Sequence, residues 1–105
     1  MDINKIGYES LTTSASKGFR TVVEEDWNDE SLVPVKLVLV HSEVSEALEE
    51  WRKEHRLEHF AGELADIIIR VAQLGVGLGI DLDQAVIDKQ QKNREREFKH
   101  GGRRI

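Results

Sequence analysis

Two acidic pairs constrain this chain more than any other feature: Glu43 with Glu46, and Glu63 with Asp66. Each pair is spaced by three residues, the step that returns a helix to the same face. Between them lies Glu49-Glu50-Trp51-Arg52-Lys53-Glu54-His55-Arg56-Leu57-Glu58, which has no apolar run and suits a chain reversal. If the chain folds back there as a helical hairpin, Glu46 comes level with Glu63 and Glu43 with Asp66. Four carboxylates then converge on one patch. Like charges at contact repel by on the order of 4 kcal/mol per pair at an effective dielectric near 20. A cation must relieve that repulsion, or the acids must take up protons. All-oxygen ligation suits Mg²⁺, with Mn²⁺ as an alternative, and does not suit zinc. The plainer alternative is that the acids line a solvated helix face.

The rest of the chain sets the frame for that patch. Its 105 residues suffice for a single domain over 1–105, whose own core is small enough that oligomerisation would help it. There is no cysteine, hence no disulfide and no thiolate metal site or nucleophile. The opening Met1-Asp2-Ile3-Asn4-Lys5 has neither the basic start nor the apolar core of a secretion signal. No apolar run reaches the roughly 20 residues of a membrane span. The chain is therefore expected in the cytoplasm, without a membrane partner. A net charge of −5 argues against nucleic acid as a partner.

Apolar spacing predicts four helices and an all-α antiparallel bundle. The first covers 2–17, with Ile3, Ile6 and Leu11 on one face, Tyr8 beside them, and Gly18 at its end. Residues 20–30 read as irregular. Within them, Trp27 reads as a loop anchor or, alternatively, a platform for a base. The second helix begins near Ser31 and runs to Lys53, with Leu37, Val40, Val44, Ala47, Leu48 and Trp51 in one stripe. The third, from Glu58 to Leu78, is apolar nearly all round and should be central. Gly75, Gly77 and Gly79 lack the spacing and preceding strand of a phosphate loop, and read as close packing and a helix end. Asp81 caps a fourth helix, with Gln84 as its reciprocal partner. Leu82, Ala85, Val86 and Phe98 are assigned inward. Lys89, Asn93 and Arg96 share another face, and a basic tail follows.

A carboxylate-held divalent ion and a basic helix face are complementary. The ion would grip a polyphosphate, Lys89 and Arg96 would neutralise its remaining charge, and Asn93 would orient an oxygen. A divalent ion also acidifies water, and a neighbouring carboxylate can accept the proton.

The stretch Ser42-Glu43-Val44-Ser45-Glu46 followed by Glu63-Leu64-Ala65-Asp66 resembles the signature of the MazG-type nucleoside triphosphate pyrophosphohydrolases, in the all-α NTP pyrophosphatase superfamily. The family motif is E-E-x-x-E, a spacer, then E-x-x-D. Flanking text is similar too: His41 to Glu50, Glu63 to Arg70, Leu78 to Leu82, and the closing Lys89, Asn93, Arg96, Phe98, His100, Gly101 and Gly102. The resemblance spans about residues 31–103. It implies hydrolysis of a (deoxy)nucleoside triphosphate between the α- and β-phosphates, giving a monophosphate and pyrophosphate, with nucleotide-pool house-cleaning as one purpose. It further implies Mg²⁺ on Glu43, Glu46, Glu63 and Asp66, phosphate contacts from Lys89, Asn93 and Arg96, and a homo-dimer or homo-tetramer with a four-helix core. Phe19 and Trp27 are candidates to stack on the base.

This chain departs from the motif at Ser42, which stands where the family has its first Glu. A hydroxyl is neither a carboxylate base nor a strong metal ligand at neutral pH, so Glu43, Glu46 or another acid such as Glu50 must activate the water. Glu97 replaces a usual proline and should let the last helix run on. Two alternatives stay within the superfamily, a dUTPase-like and a phosphoribosyl-ATP pyrophosphohydrolase activity. A third is a non-catalytic nucleotide-binding helical oligomer. A di-iron bundle lacks its paired Glu-x-x-His motifs, and none of His41, His55 and His59 is assigned to metal.

Overall fold

A computed structural model describes residues 1–16, 26–53 and 56–99, with side chains described over 1–10, 26–53 and 56–97. Among these residues the chain is all-helical and no strand occurs. The helices are α1 (Ile3–Ser16), α2 (Leu32–Lys53), α3 (Leu57–Leu78) and α4 (Leu82–Lys99). The expected ends agree to within one residue where they fall in described segments. The expected stop at Lys17-Gly18-Phe19, the base-stacking candidate Phe19, the Phe98 side chain, His55 and the tail from His100 lie outside the described residues.

α3 is the central element, packed against both α1 and α2. Its sequence explains why: no other helix is apolar around so much of its circumference. On the α2 side, Trp51 meets Phe60 with ring centroids 5.2 Å apart, Glu50 meets His59, and Glu43 meets Arg70. Two of these contacts lie close to the α2–α3 turn, and the third joins the middle of α2 to a later turn of α3. On the other side α1 comes very close. A Cβ at Gly7 would stand 2.6 Å from the Ala72 carbonyl oxygen, so only glycine fits the crossing.

α3 ends where the glycines predict. Gly79 takes φ 71° and ψ 24°, the left-handed conformation that glycine adopts freely. Its N–H donates to the Val76 carbonyl at 3.1 Å, and the Ile80 N–H donates to Gly75 at 2.8 Å. This paired pattern closes the last turn and satisfies carbonyls that would otherwise lack partners. The Trp27 ring fills the space beside Gly77, so this residue anchors the loop before α2 onto α3. Before α2, Asp29 accepts from both the Ser31 N–H and its hydroxyl, an Asx turn that holds the Asp29 carboxyl below the usual range.

α4 joins the body through its start. Asp81 accepts the Gln84 N–H, as a capping residue should. The Gln84 side chain does not reach back to complete a capping box; it donates to Asp88 instead, because that carboxylate lies one turn on along the same face. The second cap comes from α1. Asn4 Oδ1 accepts the Leu82 N–H, Asn4 Nδ2 donates to Asp81, and Asp83 accepts the Ile3 N–H at 2.7 Å. Two helix N-termini therefore cap one another, α1 through the Asn4 amide and α4 through Asp83, and the charges of Asp81 and Asp83 offset the positive dipole ends. The Asn4 bond, then the Gln84 bond, hold the Asp81 carboxyl below its ordinary value. Leu82 and Val86 are half-buried, whereas Ala85 and Tyr8 are exposed, against their expected inward or flanking positions. Beyond Val86 the described side chains of α4 all face solvent, since little of the chain packs beside it.

The packing is thin in one respect. The buried apolar side chains are Ala47 and Ala72, and no large side chain is fully buried among the described residues. Val44 (50 % exposed), Leu48 (47 %), Trp51 (41 %) and Leu64 (44 %) stand open on the α2–α3 pair, lining with Phe60 and Ile67 an apolar groove of about 400 Å³. The radius of gyration is 16.5 Å, against about 13 Å for a compact chain of this length.

Gly7→Ala should destabilise the fold by about 1–3 kcal/mol in urea unfolding, the overpacking at Ala72 outweighing a helix-propensity gain of at most about 1 kcal/mol. Asn4→Ala should cost about 1 kcal/mol through the lost cap.

Candidate metal centre

The acidic residues sit where two apolar helices face each other. Glu43 lies in the middle of α2, and Glu63 and Asp66 lie one turn apart near the start of α3. Each of the three offers a carboxylate oxygen within 4.8 Å of the others. Glu63 Oε2 is shut off from solvent with no hydrogen-bond partner, although Glu63 as a whole is half-buried. Such an orphaned oxygen is costly and calls for a proton or a cation. Burial first, then the charges of Glu46, Asp66, Glu43 and Glu50, push the Glu63 carboxyl above its ordinary value. Glu46 is exposed and stands outside the three-oxygen cluster, yet it is the largest of those charges. The donor set is all carboxylate oxygen. It fits a hard divalent cation such as Mg²⁺ or Mn²⁺, with Glu43, Glu63 and Asp66 as the residues that would hold it.

Beside the acids, a polar cleft of about 340 Å³ is lined by Glu43, Asp66, Ile69, Arg70 and Gln73. Arg70 Nε donates to Glu43 Oε1 at 2.8 Å. Gln73 Nε2 donates to Ser10 Oγ at 3.0 Å, and Ser10 in turn donates to the Gly7 carbonyl, tying the cleft's far end to α1. Glu63, Asp66, Arg70 and Gln73 follow steps of three, four and three, so α3 carries one polar stripe on an otherwise apolar surface. Arg70 and Gln73 interrupt an apolar run and were not among the expected site residues. Their phase with Glu63 and Asp66 was the signal that would have placed them in the site.

The remaining candidates lie elsewhere. Lys89, Asn93 and Arg96 are exposed on α4, while the cleft is walled by α2 and α3. Trp27 sits against Gly77, eleven positions beyond Asp66 and so roughly 16 Å along the helix. His59 approaches Glu50 at 3.1 Å and Arg56 at 2.7 Å near the α2–α3 turn, so Glu50 has a partner there. Ser42 is exposed one residue before Glu43. Among the described residues no helix is long and apolar enough to cross a membrane. Comparison with protein-family models, with curated proteins and with solved structures returns no match to this chain.

Glu63 supplies a pH test. Its folded-state value is raised, so the native state binds the extra proton and stability falls as pH climbs from the unfolded to the folded value. Glu63→Gln should therefore raise the melting temperature at pH 7 and flatten that decline, with little effect below pH 4. Melting curves across pH check this, and a variant less stable than wild type at pH 7 would contradict it.

Proposed function

We propose that this chain is a MazG-like nucleoside triphosphate pyrophosphohydrolase, a single antiparallel helical domain working as a homo-oligomer with Mg²⁺ or Mn²⁺. The observation that carries the reading is the cluster of Glu43, Glu63 and Asp66 within 4.8 Å, with one solvent-excluded oxygen on Glu63 lacking a partner. The resemblance of Glu43-Val44-Ser45-Glu46 and Glu63-Leu64-Ala65-Asp66 to the family signature points the same way.

In this reading a divalent ion supplies charge relief for a triphosphate. The chain's own groups do the rest. Glu46 lies outside the three-oxygen cluster but its charge acts on Glu63, and its exposure suits a base that takes the proton of an incoming water. The water oxygen bonds to the α-phosphorus, the bond from that phosphorus to the bridging oxygen breaks, and pyrophosphate leaves. Ser42 leaves no second carboxylate beside Glu43, so Glu46 is assigned the proton transfer. Lys89, Asn93 and Arg96 neutralise and orient the phosphates once assembly or substrate brings α4 to the cleft.

Exposed apolar side chains support the oligomer. Val44, Leu48, Trp51 and Leu64 border a continuous groove on α2 and α3. A second copy's helix pair laid on it would complete a four-helix core. Leu64→Glu should convert the oligomer to monomer in analytical ultracentrifugation, and an unchanged sedimentation coefficient would count against this surface.

A nucleotide panel with Mg²⁺, read by pyrophosphate release and product analysis, tests the activity. Wild type should release pyrophosphate, chelation should abolish it, and Asp66→Ala or Glu46→Ala should lower kcat by about 10²-fold or more. Tight Mg²⁺-dependent nucleotide binding without products would favour the non-catalytic oligomer instead. That second reading is motivated by Ser42 and by a cleft lining that includes no residue of α4.

A further inference from the structure

The cleft holds a cation of its own. Arg70 lies one turn beyond Asp66 on α3, and helix geometry brings it over the same acids. Its Nε reaches Glu43 Oε1 at 2.8 Å, and the Glu43 side chain is only 12 % exposed against 38 % for Arg70. A guanidinium is permanently charged and weakly hydrated, so it competes well for a partly buried carboxylate. Glu43 belongs to the three-carboxylate cluster and to this ion pair at once. An ion that draws fully on Glu43 has to displace a charge-assisted hydrogen bond.

We propose that Arg70 is the built-in competitor of the divalent ion, so that the site loads by exchanging one cation for another. This rests on the metal reading above. The exchange keeps Glu43 paired before the ion arrives. It also makes the intrinsic ion affinity weaker than three converging carboxylates would otherwise give. Arg52 supplies a control for the loss of a positive charge away from the cluster. Arg52, paired with the exposed Glu49 on α2, lies nine positions from Glu43, beyond the screening distance of about 8–10 Å at physiological salt.

Calorimetric titration of Mn²⁺ alone into the full chain, without nucleotide, tests the proposal. Arg70→Gln should bind Mn²⁺ about ten- to 150-fold tighter than wild type, the range expected for removing a charged hydrogen bond to the same oxygen. Arg52→Gln should bind like wild type. Arg70→Lys, which keeps the charge, should stay within about threefold of wild type, and Arg70→Met, which should tighten binding as Arg70→Gln does, serves if Arg70→Gln folds poorly by circular dichroism. Equal or weaker binding by Arg70→Gln, with wild type binding normally, overturns the exchange and leaves the metal reading standing. Tightening in Arg52→Gln as large as in Arg70→Gln also overturns it. No binding by wild type or by Arg70→Gln removes the metal reading and this proposal with it.

Discussion

Three carboxylates converging between two apolar helices is the arrangement on which the rest of this structure depends. Helix packing would be better served by leucine at those positions, since mutual repulsion and lost hydration both oppose the contact. The chain keeps the acids and surrounds them with partial remedies. Arg70 pairs with Glu43, Glu46 stays in solvent, and Glu63 retains a raised affinity for its proton. One oxygen of Glu63 is left without any remedy the chain itself provides. A cation bound among these oxygens would relieve both the repulsion and the unpartnered oxygen.

The same helix pair has a second character. Its buried apolar side chains are small, Ala47 on α2 and Ala72 on α3, and Gly7 lets α1 close on the backbone at Ala72. Small residues bring backbones together and turn large side chains outward. The result is an acidic cleft and an apolar groove that share α2 and α3. Covering the groove would fix the spacing of the two helices, and with it the spacing of the carboxylates. Assembly and ion binding are therefore expected to strengthen each other.

Much of this was legible in the residues. Periodicity placed α2 and α3, which carry long runs of phased apolar residues, whereas α4 was marked chiefly by the cap at its start. Gly79 and Asp81 marked the α3–α4 corner through backbone conformation and capping chemistry, which are local properties. The three-residue spacing of each acidic pair, joined by a charged turn, brought Glu43 toward Asp66 before any coordinates. Contacts between distant segments were not legible. Nothing local tells Asn4 to cap Leu82, 78 positions away, or Gly7 to lie on Ala72. Arg70 was missed for a different reason: a lone cation in an apolar run looks like an interruption until its phase with Asp66 is counted. Ala85 was assigned inward by its spacing, but spacing names a face and does not supply a neighbour to cover it.

The central claim is that the acids of α2 and α3 form one site for a divalent ion. Crystals soaked in Mn²⁺ and measured for anomalous scattering address it directly. The account predicts a peak between Glu43, Glu63 and Asp66, within about 2.0–2.4 Å of their oxygens. A well-diffracting soaked crystal with no peak there, or with Mn²⁺ held only by other residues, would contradict it.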